Sequence, residues 1–400
     1  MVDGGALTRP IVPHPAAGRR ADPGEDGRVR TTAAVLRAPE TEYELVELEV
    51  AEPGPGEVLV EMAFAGLCHS DEHLRHSNPG GRYPIVGGHE GSGVVLAVGD
   101  GVTAVAPGDH VVTSFLPACG HCRYCAAGRS NLCDKGATIA TGQLPSGRWP
   151  FTLDGEPLGG FCMVGAFARH TLLSEYSCVP IAPHVPLDTA ALLACSVPTG
   201  WGSAVYSGGV RPGDTVVVLG LGGVGVNAVQ GARHSGALHV IGVDPVAVKR
   251  EFASSVGATH VVADAGKAAA LARELSRGTG ADVVVVTVGV MGPEVMAEAS
   301  ACLGKGGTLV LTALGDRPHD GDVQLRGQVT TVFEHRIQGS LFGSCNPFRD
   351  IPMLLRLHEE GRLELDRLIT RRYPLDQLTQ GYRDQAAGLT VRGLLEHSRG

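Results

Sequence analysis

The sequence is poor in aromatic residues, in positive charge and in long apolar runs. Phe, Trp and Tyr make up 4% of the 400 residues, and 42 acidic residues against 33 basic ones give a net charge of −9. This balance provides no basic surface for nucleic acid or for anionic membranes. The apolar stretches are too short, and too often interrupted by glycine, to cross a bilayer. We therefore expect a soluble, cytoplasmic protein that acts on small molecules.

The first 30 residues also lack a regular pattern. They mix Pro, Gly and both charges without the apolar segment of a secretory signal, which predicts a disordered N-terminal tail over 1–30. What the chain has in excess is glycine, with 57 residues, in a composition that is 43% hydrophobic. This combination indicates an α/β protein with many tight turns. A chain of 400 residues is expected to divide into two domains.

The pattern of apolar residues changes near residue 198. Residues 31–197 form short β segments broken by Gly and Pro, which is typical of a barrel-like region. A helix is predicted over Thr189–Ala204. Residues 344–400 contain two helical patterns but no further strand–helix unit, so we expect them to return to the first domain. Over 198–343, a doubly wound parallel sheet is predicted from six apolar strands at 215–220, 239–244, 260–265, 282–289, 308–314 and 336–343.

A dinucleotide site is predicted where the first of these six strands ends. Gly220, Gly222 and Gly225 form G-x-G-x-x-G between strand and helix, and Asp244 ends the next strand. The glycines let the pyrophosphate approach a helix N-terminus, and the carboxylate can accept hydrogen bonds from the adenosine ribose. Because a carboxylate repels a 2′-phosphate, NAD is preferred over NADP. The alternative, a tightly packed turn that binds nothing, is disfavoured by the completeness of the unit.

Four cysteines form a compact metal-binding pattern, C-x-x-C-x-x-C-x7-C. Four thiolates can close a tetrahedral site with no open position, which favours a structural zinc over the alternative, an iron–sulfur cluster. The four residues are Cys119, Cys122, Cys125 and Cys133.

A second candidate metal site lies in GLCHSDEH and GGHEG. Cys68 and His89, together with the distant Cys195, would form a Cys2His set that leaves one zinc position open. Spacing alone does not join Cys195 to the other two.

CHSDEH, GGHEGSG, the four-cysteine lobe, CSVPTGWGSAV and GLGGVG follow one another in this order. They resemble the zinc-dependent alcohol dehydrogenases of the medium-chain dehydrogenase/reductase superfamily, from about Thr31 to the C-terminus. RYPIVGGHEG, GWGSAVY, NAVQGARH and GSLFGSCNP are most similar to the actinobacterial nitrosodimethylaniline-dependent group, nicotinoproteins often associated with mycofactocin. The resemblance implies a GroES-like catalytic domain over 31–197, a Rossmann NAD-binding domain over 198–343, two Zn²⁺ per subunit and NAD(H).

The resemblance also implies roles for individual residues. Asp71 would orient the zinc-bound imidazole, Ser70 and His73 would carry the substrate proton to solvent, and Phe115 would line the substrate pocket. The catalytic zinc would be held by three ligands with an exchanging acid behind it, namely Cys68, His89, Cys195 and Glu90. The cofactor would be contacted by His69, Thr199, Gly220, Gly222, Gly223, Val224, Gly225, Asp244, Lys249 and Arg392.

The implied activity is hydride transfer between an alcohol, or an aldehyde or ketone, and tightly bound NAD(H) that an external redox carrier recycles. Glutathione adducts are disfavoured as substrates, because the related formaldehyde dehydrogenases carry arginine at the position of Ala137 and lack the histidine of His73. One alternative is a tailoring enzyme of secondary metabolism that acts on an elaborate substrate, with or without net redox. The other is a non-catalytic protein that binds zinc and nucleotide.

Two features of the protein follow less directly from the sequence. Residues 138–165 should decide the size of the pocket, but their irregular composition predicts no particular fold. We expect a homodimer or homotetramer, with subunits joined at the sheet edge near Ser340–Gly343.

Overall fold

The computed structural model describes residues 29–76, 80–314 and 323–397. Residues 29 and 30, which prediction assigned to the N-terminal tail, are the first residues of a strand. The remainder of the predicted tail lies outside the described residues. Among the described helices, none is long and apolar enough to cross a membrane.

The chain up to about residue 195 consists mainly of short strands separated by turns. Its helices are α1 (His69–His76), α2 (Arg123–Ala126) and α3 (Leu187–Ala191). Its strands are β1 (Val29–Leu36), β2 (Glu44–Val50), β3 (Glu57–Gly66), β4 (Ile85–Val86), β5 (Gly91–Val98), β6 (His110–Thr113), β7 (Phe151–Leu153), β8 (Glu156–Gly160), β9 (His170–Ser174) and β10 (Cys178–Ile181).

The following part alternates strands with helices. Its helices are α4 (Ser196–Gly202), α5 (Gly223–His234), α6 (Ala247–Ser255), α7 (Ala265–Leu275), α8 (Pro293–Cys302) and α9 (Gly327–Val332). Its strands are β11 (Thr215–Leu219), β12 (His239–Val243), β13 (His260–Val262), β14 (Ala281–Val286), β15 (Leu303–Leu311) and β16 (Arg336–Gly339). The C-terminal part contains α10 (Pro347–Glu359), β17 (Ile369–Pro374), α11 (Leu378–Ala386) and β18 (Arg392–Glu396).

The strands of the first part, together with two strands of the C-terminal part, form a closed barrel and a larger sheet. The barrel has the order β1-β2-β7-β8-β4, and the sheet has the order β10-β6-β5-β3-β18-β17, with β9 also paired to β3. The C-terminal strand β18 pairs antiparallel with the end of β3, where Leu394 faces Gly66. The C-terminal part of the chain therefore lies beside the strand that leads into Cys68.

The predicted parallel sheet is confirmed. Its order is β13-β12-β11-β14-β15-β16, and all five pairings are parallel. Every residue of β11, TVVVL, is buried, because helices cover both faces of such a sheet. Strand β13 ends at Val262, earlier than the predicted 260–265, because the Asp264 side chain accepts a hydrogen bond from the Lys267 N–H and begins α7.

The helix predicted over Thr189–Ala204 is broken in the structure. Cys195 has φ −150° and ψ −69°, which is outside helical geometry, and it separates α3 and a following 3₁₀ turn from α4. The break has a functional consequence, because an unbroken helix would direct this side chain elsewhere. Cys195 instead lies at the junction of the two parts of the chain.

One hydrophobic core runs through both parts. The same buried cluster contains Val60 and Leu116 of the first part, Trp201 of α4, Val226 of α5 and Leu354 of α10. A second cluster lies on the other face of the parallel sheet, and a third fills the barrel. The two parts therefore share buried apolar surface rather than meeting only across a polar cleft.

Two further segments concern the pocket and the subunit contact expected from the sequence. Residues 138–165, for which no fold was predicted, supply β7 and β8 and so complete the barrel. The stretch Ser340–Gly343 makes several contacts within its own chain, and its role as a subunit contact stays a prediction. The Ser340 hydroxyl lies 2.9 Å from that of Ser203, and Phe342 is buried. The exposed edge of the parallel sheet is β16.

Candidate active site

Four predicted residues of the catalytic metal site come together at the junction of the two parts. The segment between β3 and α1 carries Cys68, the two residues before β5 are His89 and Glu90, and the helix break positions Cys195. One ligand atom from each of the four lies within 4.8 Å of the others, and all four side chains are buried. Two sulfurs, an imidazole and a carboxylate are a donor set that fits Zn²⁺.

Asp71 lies behind His89, as the resemblance implies. Its carboxylate is fully buried, with its oxygens 3.1 and 3.2 Å from His89 Nδ1, and it also accepts a hydrogen bond of 3.1 Å from the Gly88 N–H. Burial raises the pKa of Asp71, and burial alone would lower that of His89, but the charge of Asp71 raises the His89 pKa well above its ordinary value. The hydrogen bond leaves Nε2 to face the two cysteines.

The two cysteines of this site shift each other's pKa in opposite directions. Their mutual hydrogen bond lowers the pKa of Cys68 well below its ordinary value and raises that of Cys195. Cys68 Sγ also lies 3.7 Å from Ser70 Oγ, and Cys195 Sγ lies 3.8 Å from Thr199 Oγ1. A thiolate held in a buried site is the form that coordinates a soft or borderline cation.

Glu90 is fully buried and forms an ion pair with Arg392. Burial raises the pKa of Glu90 to about 8, although the charge of Arg392 opposes this shift. Arg392 also passes against the dinucleotide turn, because a Cβ added to Gly223 would collide with its Cδ. This single guanidinium therefore lies between the acid of the metal site and the predicted pyrophosphate site.

The four-cysteine lobe forms a second cluster, whose sulfurs also lie within 4.8 Å of one another. Cys122 Sγ accepts hydrogen bonds from backbone N–H groups that include that of Cys125, and these bonds lower the Cys122 pKa to about 6. Burial raises the pKa of Cys133 to about 12, and its Sγ lies 3.9 Å from that of Cys122. The tetrathiolate donor set fits a closed zinc site.

The predicted proton path begins at the metal site. Ser70 and His73 belong to α1, and both line a cavity that also reaches His89 and Cys195. The rings of His69 and His73 are 4.8 Å apart, edge to face. His69 points toward the parallel sheet, where a Cβ added to Gly289 would lie 3.1 Å from its Nε2.

The glycine-rich turn has the geometry of a dinucleotide site. Gly220 has φ +91°, in the left-handed region that favours glycine, and a Cβ on Gly225 would collide with the Gly220 carbonyl. Helix α5 begins at Gly223, and its N-cap residue, Gly222, has open space where a Cβ would be. The turn therefore leaves room for a pyrophosphate at the N-terminus of α5.

Asp244 closes this turn from the neighbouring strand. Its two carboxylate oxygens accept hydrogen bonds of 3.0 Å from the Leu221 N–H and 2.9 Å from the Val246 N–H. Each oxygen keeps a second acceptor position that a ribose hydroxyl could occupy. Lys249 follows on α6, and Val224 lies in the first turn of α5.

A cavity of about 720 Å³ runs from the metal site to the carboxyl ends of β15 and β16. Its inner end contains Ser70, His89 and Cys195, and Thr199 lies beside them. Phe115, the predicted pocket residue, lines it and packs edge to face against His89 at 5.5 Å. The crevice beyond the carboxyl ends of parallel strands is the usual ligand position in such folds.

Several residues of the site were missed from the sequence. Phe161 and Cys162 line the cavity from the segment after β8, and Leu341 and Phe342 line it from the loop after β16. Thr287 holds the glycine turn by donating a hydrogen bond of 2.7 Å to the Gly220 carbonyl. Leu341 and Phe342 lie in GSLFGSCNP, which carried the resemblance but indicated no role in the site. Phe161 and Cys162 lie in the segment 138–165 that was expected to set the pocket size, and no local motif marks them or Thr287.

Comparison with known proteins agrees with this architecture. Residues 54–183 match the family model described as alcohol dehydrogenase GroES-like domain, and residues 223–360 match zinc-binding dehydrogenase. The chain thus belongs to the zinc-dependent alcohol dehydrogenases of the medium-chain dehydrogenase/reductase superfamily. It is an oxidoreductase of alcohols or aldehydes, and its cofactors are zinc and NAD(H).

Individual relatives show which group of alcohol dehydrogenases the chain is similar to. An NDMA-dependent alcohol dehydrogenase of Amycolatopsis methanolica is 52% identical over 370 residues, which cover 92% of this chain and 100% of the relative. Alcohol dehydrogenase B of Mycobacterium tuberculosis is 40% identical, with 92% and 99% covered. The crystal structure of benzyl alcohol dehydrogenase from Acinetobacter calcoaceticus has a TM-score of 0.84 at 29% identity, with 92% and 99% covered. The similarity to the actinobacterial NDMA-dependent group is thereby confirmed.

Proposed function

We propose that this enzyme transfers hydride between an alcohol and NAD(H) that stays bound between turnovers, and that an external redox carrier recycles the cofactor. The observation that carries the proposal is the 52% identity, over the whole length of the relative, with a protein named for its dependence on NDMA. The cofactor cleft is consistent with tight binding. His69 of the first part and the buried Arg392 of the C-terminal part reach the glycine turn and the segment after β14 in the strand–helix part.

Each metal site has a separate role in this proposal. Cys68, His89 and Cys195 would hold the catalytic zinc, with Glu90 behind it, and the four-cysteine lobe would hold a structural zinc. When bound, the catalytic zinc supplies a Lewis acid that lowers the pKa of the substrate hydroxyl, and NAD⁺ supplies the hydride acceptor. Asp71 keeps the His89 ring oriented toward the two sulfurs.

Proton movement falls to two residues of α1. Ser70 lines the inner end of the cavity and is placed to receive the substrate proton, and His73 lines the same cavity three residues later. Positions three apart on a helix lie on one face, so Ser70 and His73 both face the cavity that would hold the nicotinamide. Phe115 and Phe161 pack against His89 from two sides and exclude water from this end.

In the proposed complex, Arg392 contacts both the acid of the metal site and the cofactor pyrophosphate. Its guanidinium is buried against Glu90, and its side chain crosses Gly223 at the helix terminus where the pyrophosphate would lie. A buried guanidinium can donate to both a carboxylate and a phosphate, because it carries five N–H groups in one plane.

Absorbance spectroscopy of the purified enzyme tests the proposal directly. The protein is first freed of small molecules by gel filtration, and an alcohol is then added without any NAD. We expect the reduced-nicotinamide band to grow, and then to disappear when the artificial acceptor nitrosodimethylaniline is added. Cys68→Ser is the matched control, which should retain nucleotide but show no band. Turnover that requires added NAD would contradict the bound-cofactor proposal.

The cavity also bears on the alternative of an elaborate substrate. A volume of about 720 Å³ lies within the range of roughly 300–1,000 Å³ that encloses a drug-sized ligand. Even after space is left for a nicotinamide ring, it exceeds what a two-carbon alcohol needs. If no alcohol changes the absorbance of the bound cofactor, chemistry without net redox becomes the better explanation.

We also propose that the enzyme is a homo-oligomer joined at β16. All four residues of this edge strand are exposed, and the apolar side chains of Val332, Phe333 and Ile337 are at least 36% exposed nearby. An open strand edge beside apolar surface is a pairing site for a second copy. Analytical ultracentrifugation should show an oligomer for the wild type and a monomer for Ile337→Lys. Equal masses for the two proteins would contradict the assignment of the interface to β16.

A further inference from the structure

An exposed arginine, Arg129, lines the substrate cavity. Among the described residues that line it, histidines aside, Arg129 is the one cation, and no Asp or Glu lines it. The apolar part of the lining includes Phe115, Leu132, Ile139 and Phe342. An exposed cation beside an apolar cavity is a recognition element for an anion, because no acidic side chain among the described lining residues neutralises it.

Arg129 is held at this position by the four-cysteine lobe. Its N–H donates a hydrogen bond of 2.8 Å to the Tyr124 carbonyl, and its own carbonyl accepts one of 2.9 Å from the Leu132 N–H. Two residues later, the Asn131 side chain donates to the Leu341 carbonyl at 3.2 Å and fastens the lobe to the opposite wall. The backbone of Arg129 is thus fixed, whereas its side chain is exposed and adjustable.

We infer that Arg129 determines substrate specificity, and that the substrate class is an alcohol with a hydrocarbon body and a carboxylate at its far end. This inference rests on the proposed alcohol oxidation at the metal site. The hydroxyl enters between Ser70 and His89, the hydrocarbon lies against the apolar part of the lining, and the carboxylate meets the guanidinium. The planar donors of arginine match a carboxylate, which can accept two of them at once.

The competing explanation is that Arg129 is only solvated surface. Exposed ion pairs are weak, and water screens a group at a cavity mouth. The apolar wall beside Arg129 favours the inference, because a substrate that fills the cavity displaces water there and strengthens the contact. We therefore expect replacement of Arg129 to reduce the preference for the carboxylate substrate about tenfold. This is more than an exposed ion pair contributes and less than a buried charged hydrogen bond contributes.

A paired substrate series tests the inference by turnover. Each ω-hydroxy carboxylate from hexanoate to dodecanoate is compared with the primary alkanol of equal length, in wild type, Arg129→Gln and Arg123→Gln. Arg123 is the matched control, an exposed arginine on the same lobe that does not line the cavity. At some chain length, we expect the wild type to have a higher kcat/KM for the hydroxy carboxylate than for the alkanol. Arg129→Gln should lower the ratio of these two kcat/KM values about tenfold. An unchanged ratio, or an equal drop in Arg123→Gln, would overturn the inference.

A binding measurement separates this inference from the proposed reaction. Calorimetric titration with decanoate and with decanamide requires no turnover and uses the same three proteins. Weaker decanoate binding in Arg129→Gln alone, with decanamide unaffected, supports the role of Arg129 even if no alcohol is oxidised. Equal loss for both ligands means that Arg129 only shapes the wall, and no loss for either means that the carboxylate is not recognised there.

Discussion

Asp71→Asn should weaken the catalytic zinc without touching the structural one. The substitution keeps the shape of the side chain but removes its charge, in a position that is completely buried. Asp71 now accepts from two donors, the Gly88 N–H at 3.1 Å and His89 Nδ1 at 3.1 to 3.2 Å. An amide offers one acceptor oxygen, so its NH₂ group must face one of these donors.

The expected cost follows from these contacts. Replacing a partner of a metal-bound histidine typically lowers metal affinity by about 10- to 100-fold, which corresponds to about 1.4 to 2.7 kcal/mol. Because the Asp71 carboxylate and the His89 ring are almost fully buried, no solvent replaces the lost interaction. We expect a decrease in the upper half of this range, about 30- to 100-fold.

Chelator competition measures this loss with an internal control. The two zinc ions should leave in two phases, and only the phase assigned to Cys68, His89 and Cys195 should shift in Asp71→Asn. Asp384→Asn is the matched control, because Asp384 accepts from Tyr373 and Arg371 in a cluster apart from both metal sites. A catalytic zinc held as tightly as in wild type, or an equal shift of both phases, would refute the reasoning.

Three further predictions concern stability and cofactor choice. Burial lowers the pKa of His397 to about 4, because the folded protein disfavours the charged imidazole. The resulting stability is fully present above the ordinary pKa of about 6.5 and is lost as the pH falls toward 4. Wild type should lose about 2 kcal/mol more than His397→Gln between about pH 8 and about pH 5, measured by urea unfolding; equal slopes would contradict this. Cys122→Ser should halve the zinc content and cost on the order of 3 kcal/mol of stability, and full zinc content with unchanged melting would exclude the structural assignment. Asp244→Ser should shift the relative affinity from NAD toward NADP by about tenfold or more, which nucleotide titration of the cofactor-free protein would show or disprove.

The parts of the site that sequence predicts are those encoded locally. The glycine turn and the four-cysteine lobe each lie within one short segment, so their spacing determines which atoms can meet. The six parallel strands were recognisable because strands buried on both faces, such as β11, are continuously apolar. The predicted end of β13 was wrong, because Asp264 caps the N-terminus of α7 and the strand stops before it.

The remaining parts depend on contacts between distant segments. Cys195 was assigned by resemblance, and its break in the predicted helix left no local signal. The ion pair of Glu90 with Arg392 joins residues about three hundred positions apart, and Phe161 enters the cavity from a segment with no recognisable pattern. Such contacts arise from the packing of the sheets, which periodicity alone does not encode.

The core shared by the two parts of the chain also bears on how long a ligand remains bound. If a cofactor leaves the cleft by separation of the two parts, the shared core opposes its release, because Trp201, Val226 and Leu354 belong to the same buried cluster as Val60 and Leu116. Separation of the parts would expose some of this apolar cluster to water, and that cost would add to the barrier to dissociation. The residence time of the cofactor would then depend on side-chain packing. Substitutions in the shared core would change it while the residues that contact the nucleotide stay the same.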